Sequence, residues 1–212
     1  MNTGIMIKSF QTSKLLRYNF LYQTVNYVYV AKTESTQMLR KSQIAPDFSL
    51  KGTDEIAYRL ESFSSSRLLL VVFICNHCPY VRARIRDLVA LQSKFDKPDL
   101  QVIAINSNDP SYQEEGFENM KKFSIEYSLI FPYLFDESQV VARLYGAACT
   151  PDPFLFDSER KLLFHGKIND ALEPDMTPKV HTMEENVRKV LSGQKLDKDF
   201  DPSIGCSIKW KS

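Results

Sequence analysis

Two cysteines three residues apart, Cys75 and Cys78, with His77 between them, are the residues of this 212-residue sequence best suited to chemistry. Thiols at this spacing alternate between dithiol and disulfide, one attacking a partner and the other displacing it. A cysteine at a helix N-terminus meets unpaired amide N–H groups and a partial positive charge, which stabilise the attacking thiolate. Cys75 is therefore expected just before such a helix as nucleophile, and Cys78, about one turn on, as the thiol that resolves a mixed disulfide. An imidazolium at His77 would favour the Cys75 thiolate and make the pair more oxidising; the plainer role for it is that of an exposed loop residue. Inert packing and metal binding are the other readings of the pair. A structural zinc site needs a second close pair, whereas Cys149 and Cys206 stand alone. A copper or zinc carrier would use the thiolates of Cys75 and Cys78, with His165 as the further ligand to test.

Cys149-Thr150-Pro151-Asp152 is the second informative stretch. A proline there sits badly in regular structure, so a tight turn with a cis bond is expected, exposing backbone groups of Cys149 and Thr150 to an extended substrate. His165 alternates with Leu163 on a predicted strand and reads as packed rather than ligating. Asp109, Asp136 and Asp157 follow predicted strands, where forming a turn or capping a helix is the ordinary role. Arg82, Arg84 and Arg86 read as a solvated helix face. Cys206, beside Gly205, is either a third redox thiol or a small apolar anchor working with Trp210.

The elements that must position these residues follow from periodicity. RLLLVVFI, residues 67–74, is continuously apolar, as in a strand buried on both faces of a parallel sheet. After Pro79 the apolar residues Val81, Ile85, Leu88 and Val89 recur at helical spacing, so a strand runs into a helix across the CNHC segment. LQVIAIN, residues 100–106, closes a βαβ unit. A helix bearing Phe117, Met120 and Tyr127, the short strand FPYLF and a helix stopped by Gly146 come next. PFLFD and KLLFHGK form a hairpin, and a final helix is read with Thr182 and Glu185 as capping box and Gly193 as stop. Ahead of all this, residues 44–63 suggest a hairpin turning at Gly52 and Asp54.

Composition sets limits. With 27 basic and 26 acidic residues the formal charge is +1, which gives no field for attracting nucleic acid or an anionic membrane. Four cysteines are too few for a disulfide-stapled scaffold, and no apolar run reaches the ~18–20 residues of a membrane span. Residues 1–38 are set apart as an N-terminal extension, either disordered, over-long with Met38 as start, or, over 1–37, a transit peptide rich in basic and hydroxylated residues. One domain is expected over 39–193, with residues 194–212 as a tail packed on it. The expected location is the cytoplasm, or an organelle if the extension directs import.

The strand–CNHCP–helix, the CTPD turn before FLFD and the opening APDFSL together resemble the thioredoxin-like superfamily. More narrowly, CNHCPYV, AINSND, FPYLFDESQ, YGAACTPD and IGCSIKW are similar to its redoxin subgroup, peroxiredoxin-like proteins of AhpC/TSA type, over residues 44–211. The resemblance implies an α/β thioredoxin-like fold: a central mixed sheet flanked by helices, an N-terminal hairpin and an inserted strand–helix. It implies Cys75 as nucleophile, Cys78 as resolving thiol and Pro151 as a cis-proline facing them. It also implies a thiol–disulfide oxidoreductase without a cofactor, acting on protein or small-molecule thiols and disulfides, with a reductant such as thioredoxin or glutathione. An atypical thiol peroxidase, acting on peroxides, is the alternative. In peroxiredoxins the peroxidatic cysteine follows a Thr by three residues and a Pro by seven, and Cys78 falls at that position. Counting back from Cys78 gives Cys75 and Val71, and from Cys75 gives Val72 and Leu68, so neither frame carries the pattern.

Overall fold

The computed structural model describes residues 32–212. The central strand β4 (Leu68–Phe73) is buried at all six positions because it lies between two other strands with a layer on each face. Leu68, Leu70 and Val72 point to one core, shared with Val81, Ile85, Met120 and Val187; Leu69, Val71 and Phe73 point to a second, shared with Ala142, Tyr145 and Phe154. A strand with two dry faces must be apolar at every residue, which is the pattern LLLVVF supplies.

Helix α1 (Pro79–Lys94) begins with Pro79, whose missing N–H is no loss in a first turn, and buries Val81, Ile85, Leu88 and Leu91. It returns the chain to β5 (Leu100–Asn106), parallel to β4. Gln92 fastens this return, donating to the Leu100 carbonyl and accepting from the Val102 amide. Helix α2 (Phe117–Glu126) leads to β6 (Tyr133–Phe135), parallel to β5. Helix α3 (Val140–Tyr145) ends at Gly146, whose φ of 70° is the left-handed value that favours glycine. β7 (Cys149–Thr150) and β8 (Asp152–Phe156) flank Pro151, and β8 is antiparallel to both β4 and β9 (Leu162–Gly166). The hairpin β2 (Ser49–Gly52) and β3 (Ala57–Arg59) extends the sheet past β6, and β10 (Phe200–Asp201) past β9. The expected mixed sheet, flanking helices and hairpins are thus all present.

One expectation needs correction. Helix α4 (Thr182–Leu191) has His181 at its N-cap and no side-chain cap bond, so Thr182 and Glu185 do not form a capping box. The tail is woven into the fold: β11 (Ile204–Ser207) pairs on one side with β7 and on the other with β1 (Lys32–Glu34) in a second, three-stranded antiparallel sheet. Of the extension expected over residues 1–38, and of the transit peptide expected over 1–37, residues 1–31 lie outside the described residues, and 32–34 form a strand. Among the described residues no helix is long and apolar enough to cross a membrane.

Candidate functional site

The site is built where β4 gives way to α1. Ile74 still bonds the β5 ladder through its N–H to the Ile105 carbonyl, 2.9 Å. The loop 75–78 then turns under several side chains. Asn76 donates from Nδ2 to the Glu114 carbonyl (3.0 Å) and accepts at Oδ1 from the Tyr133 hydroxyl (2.9 Å), while its own carbonyl accepts from Arg82 Nε (2.9 Å).

Glu115 is the hub of this loop and was not singled out by its sequence. Its Oε1 accepts from the amides of Asn76 (3.0 Å) and His77 (3.3 Å) and meets His77 Nδ1 at 2.5 Å; its Oε2 accepts from Asn106 Nδ2 at 2.6 Å. Burial pushes this carboxyl up, but the hydrogen bonds from His77 and Asn106 and the His77 charge outweigh it and hold Glu115 below the ordinary carboxylate value. His77 is therefore not an exposed loop residue: its side chain is nearly buried, against Glu115 and Tyr112.

The cysteines are not placed as expected. Cys78 is the N-cap of α1, and Cys75 lies inward of it, fully buried. Cys75 Sγ is 3.1 Å from Thr150 Oγ1. Burial first, and the Glu115 charge second, push the Cys75 thiol up to about 12, against smaller lowering effects from Thr150 and the Cys78 amide. Cys75 is a protonated thiol at neutral pH, whereas Cys78 occupies the N-cap of α1, a position where the helix dipole favours a thiolate. The disulfide present joins Cys78 to Cys206, with Cα atoms 6.1 Å apart. The reason is topological: β11 pairs Cys206 with Thr150, beside the cysteine loop. Cys78 Sγ also lies 3.2 Å from the Thr150 carbonyl oxygen, which a Cys78 thiol would use as acceptor.

Thr150 is thus touched by both active-segment sulfurs and paired with Cys206, and the Thr150–Pro151 bond is cis. Asp152 secures this turn, accepting from the Ala148 amide (3.1 Å) and the Ser203 hydroxyl (3.1 Å) and pairing with His165 Nε2 (2.7 Å). Cys149 is buried and its thiol is pushed up by burial and by Asp152. It faces Pro151 and Ser203 rather than the other sulfurs.

His165 packs between Phe154 and Phe200 and is engaged by Asp152, which removes it as the further metal ligand. Among the described residues, the donors that converge are Cys75, His77 and Glu115, within 4.8 Å of one another. Both Glu115 oxygens already accept from protein donors and Cys75 Sγ lies against the Thr150 hydroxyl, so protein partners already engage these groups. Arg82 turns to Asn76 and Glu114, and Arg84 is buried with bonds to the carbonyls of Ala171, Glu173 and Met176, so Arg84 is no part of a solvated face. Asp109, Asp136 and Asp157 accept from backbone amides two to six residues ahead, as turn and capping residues do.

Residues 42–165 match the model of the AhpC/TSA family. The chain belongs to the AhpC/TSA family. A Helicobacter pylori (strain J99) protein assigned as a peroxiredoxin, bcp, is 30% identical over 112 residues, 52% of this chain and 68% of that one. An uncharacterized conserved protein from Geobacillus kaustophilus superposes with a TM-score of 0.80 at 39% identity, over 85% of this chain and 96% of the other. The thioredoxin domain of a thiol-disulfide oxidoreductase from Bacteroides vulgatus shares the fold at a TM-score of 0.52, with 19% identity over 60% of this chain and 88% of that domain. This AhpC/TSA chain is accordingly a thioredoxin-like redoxin, and its family indicates oxidoreductase activity on thiols, disulfides or peroxides with a reductant to complete the cycle.

Proposed function

We propose that the chain is a thiol–disulfide oxidoreductase centred on Cys78, which exchanges between Cys206 and Cys75. The observation that carries this reading is the meeting of all three at Thr150: Cys75 at its hydroxyl, Cys78 at its carbonyl, Cys206 opposite it in the ladder. Exchange runs as follows. Cys75 loses its proton and attacks the Cys78 sulfur; the Cys75–Cys78 bond forms as the Cys78–Cys206 bond breaks, and Cys206 leaves as thiolate and takes up a proton. An external dithiol then reduces Cys75–Cys78, and an external disulfide reoxidises the centre through Cys78. The proton given up by Cys75, whose sulfur lies against the Thr150 hydroxyl, balances the one taken up by Cys206. A cycle of this kind needs a thiol reductant, thioredoxin or glutathione, and we place it in the cytoplasm, or in an organelle if residues 1–37 direct import.

The test is exchange with a small aromatic disulfide. Cys78→Ser should abolish catalysed turnover, and Cys75→Ser should retain the first exchange but lose turnover with a monothiol reductant. A Cys78→Ser chain as active as the unsubstituted one would sink the assignment.

Peroxide reduction is a second reading, favoured by the position of Cys78 at a helix N-cap with a partner cysteine already bonded, and by similarity to the Helicobacter protein. Cys78 thiolate would take one peroxide oxygen as sulfenic acid, releasing alcohol or water, and Cys206 would condense with it to the disulfide and water. Against it stands the absence of the peroxiredoxin Thr and Pro ahead of either cysteine, so peroxide consumption should be slow beside disulfide exchange.

A further inference from the structure

The geometry points to β11 as an internal substrate: the slot it fills between β7 and β1 is the binding site for an extended cysteine-bearing peptide with glycine immediately before the cysteine. This deepens, and rests on, the assignment of Cys78 as the exchange centre.

Occlusion gives the first argument. Cys75, Cys78 and Cys206 are all fully buried, so a polypeptide partner can reach Cys78 only by taking the place of what covers it. What covers it is β11, bonded to Cys78 through Cys206. That is the arrangement of an enzyme–substrate mixed disulfide, with the partner supplied by the same chain. The strand sits in antiparallel register, Cys206 opposite Thr150 and Ser207 opposite Cys149, and β1 pairs along its other edge, Gly205 opposite Thr33. Backbone pairing of this kind accepts any extended segment and leaves selectivity to the side chains.

Gly205 is where the selectivity lies. A Cβ at this position would run into the carbonyl of Thr150 and the nitrogen of Pro151, backbone atoms that cannot swing aside. The clash falls on the residue before the cysteine and on the same turn that touches both Cys75 and Cys78. Any segment whose cysteine reaches Cys78 through this slot must therefore be glycine there or sit out of register. Clamps flank the strand: Ser203 exchanges hydrogen bonds with Ser35, and Lys209 bonds Asn108, Asp109 and Gln139. Residues 204–208 lie between them as the replaceable part, held close as an intramolecular competitor once the disulfide opens.

The experiment compares two hexapeptides, SIGCSI, which copies residues 203–208, and SIACSI. Each is activated as a mixed disulfide with thionitrobenzoate and offered to the full chain carrying Cys206→Ser, with release of the coloured thiol followed over time. The glycine peptide is expected to couple at least about tenfold faster, by the ~1.4 kcal/mol that one order of magnitude represents. As a check that does not depend on the variant folding, the same two peptides as free thiols are added to the unsubstituted oxidised chain, where the glycine peptide should displace Cys206 preferentially and appear on Cys78 by intact mass. Equal rates, or no coupling of either peptide, while a small aromatic disulfide still reacts at Cys78, would overturn the template and leave the exchange centre standing. Failure of the small disulfide as well would overturn both.

Discussion

Glu115 shows how a single loop carboxylate sets the chemistry of its neighbours. It holds two loop amides and the His77 ring, and its charge is one of the two main reasons Cys75 stays a thiol. Glu115→Gln removes that charge while burial remains, so the Cys75 thiol should titrate lower than its value of about 12. Thiolate absorbance against pH, taken as a difference from Cys75→Ser, would show the drop; an unchanged or raised midpoint would refute the role given to Glu115. The stability linkage has the opposite sense. A carboxyl held below its ordinary value stabilises the fold above the unfolded value of about 4.5 and loses that contribution as pH falls through the folded value. The variant should therefore be destabilised by about 2 kcal/mol at neutral pH, since Gln turns a donor toward groups that donate, and should show a flatter acid limb in urea unfolding. His77, Cys75 and Cys78 were legible because their spacing is itself the signal. Glu115 was not, because QEEGF reads as an ordinary polar loop and only the return of β5 beside β4 brings it under the CNHC segment.

At the scale of elements, what periodicity encodes was readable and what distant pairing encodes was not. LLLVVF declared a strand with two dry faces, and the change to helical spacing after Pro79 declared α1. The Thr182–Glu185 spacing misled because a cap depends on where the preceding chain enters, and here His181 takes that position. The assignment of Cys75 to the helix start erred by one turn for a similar reason: Pro79 fixes the first helical residue, so the N-cap belongs to Cys78. Nothing local in SIGCSIKW names its partners, yet β11 determines which disulfide exists. Gly205→Ala tests that dependence within the chain. With a Cβ against Thr150 and Pro151 the strand cannot seat, and the oxidised variant should retain Cys78 and Cys206 as thiols, counted under denaturing conditions. A variant that forms the Cys78–Cys206 bond as readily as the parent would show that the close approach of these backbones is not what brings the sulfurs together.

Across the whole molecule the Cys78–Cys206 bond joins positions 128 apart in the sequence, linking the N-cap of α1 to the last strand. Closing so long a loop restricts the unfolded chain, and bonds of this kind stabilise by about 2–4 kcal/mol. For a protein of this size each kcal/mol corresponds to about 2–4 °C in Tm, so reduction should lower the melting temperature by roughly 5–15 °C. Cys206→Ser should remove that dependence on reductant. Stability alone does not separate a working disulfide from a staple, but the potential does. Structural disulfides lie below about −300 mV, beyond the reach of cellular thiols, whereas a bond that cycles against thioredoxin or glutathione must lie at or above that range. Burial of all three sulfurs shields the bond from small reductants kinetically without fixing its potential, so the two properties are measured separately. Redox titration of the full chain against a thiol–disulfide buffer, with the Cys75–Cys78 and Cys78–Cys206 forms distinguished by peptide mapping, should give a midpoint above about −300 mV and a detectable population of the Cys75–Cys78 form. A lower midpoint, with Cys78–Cys206 as the sole oxidised form, would make the bond a staple and end the case for Cys78 as an exchange centre.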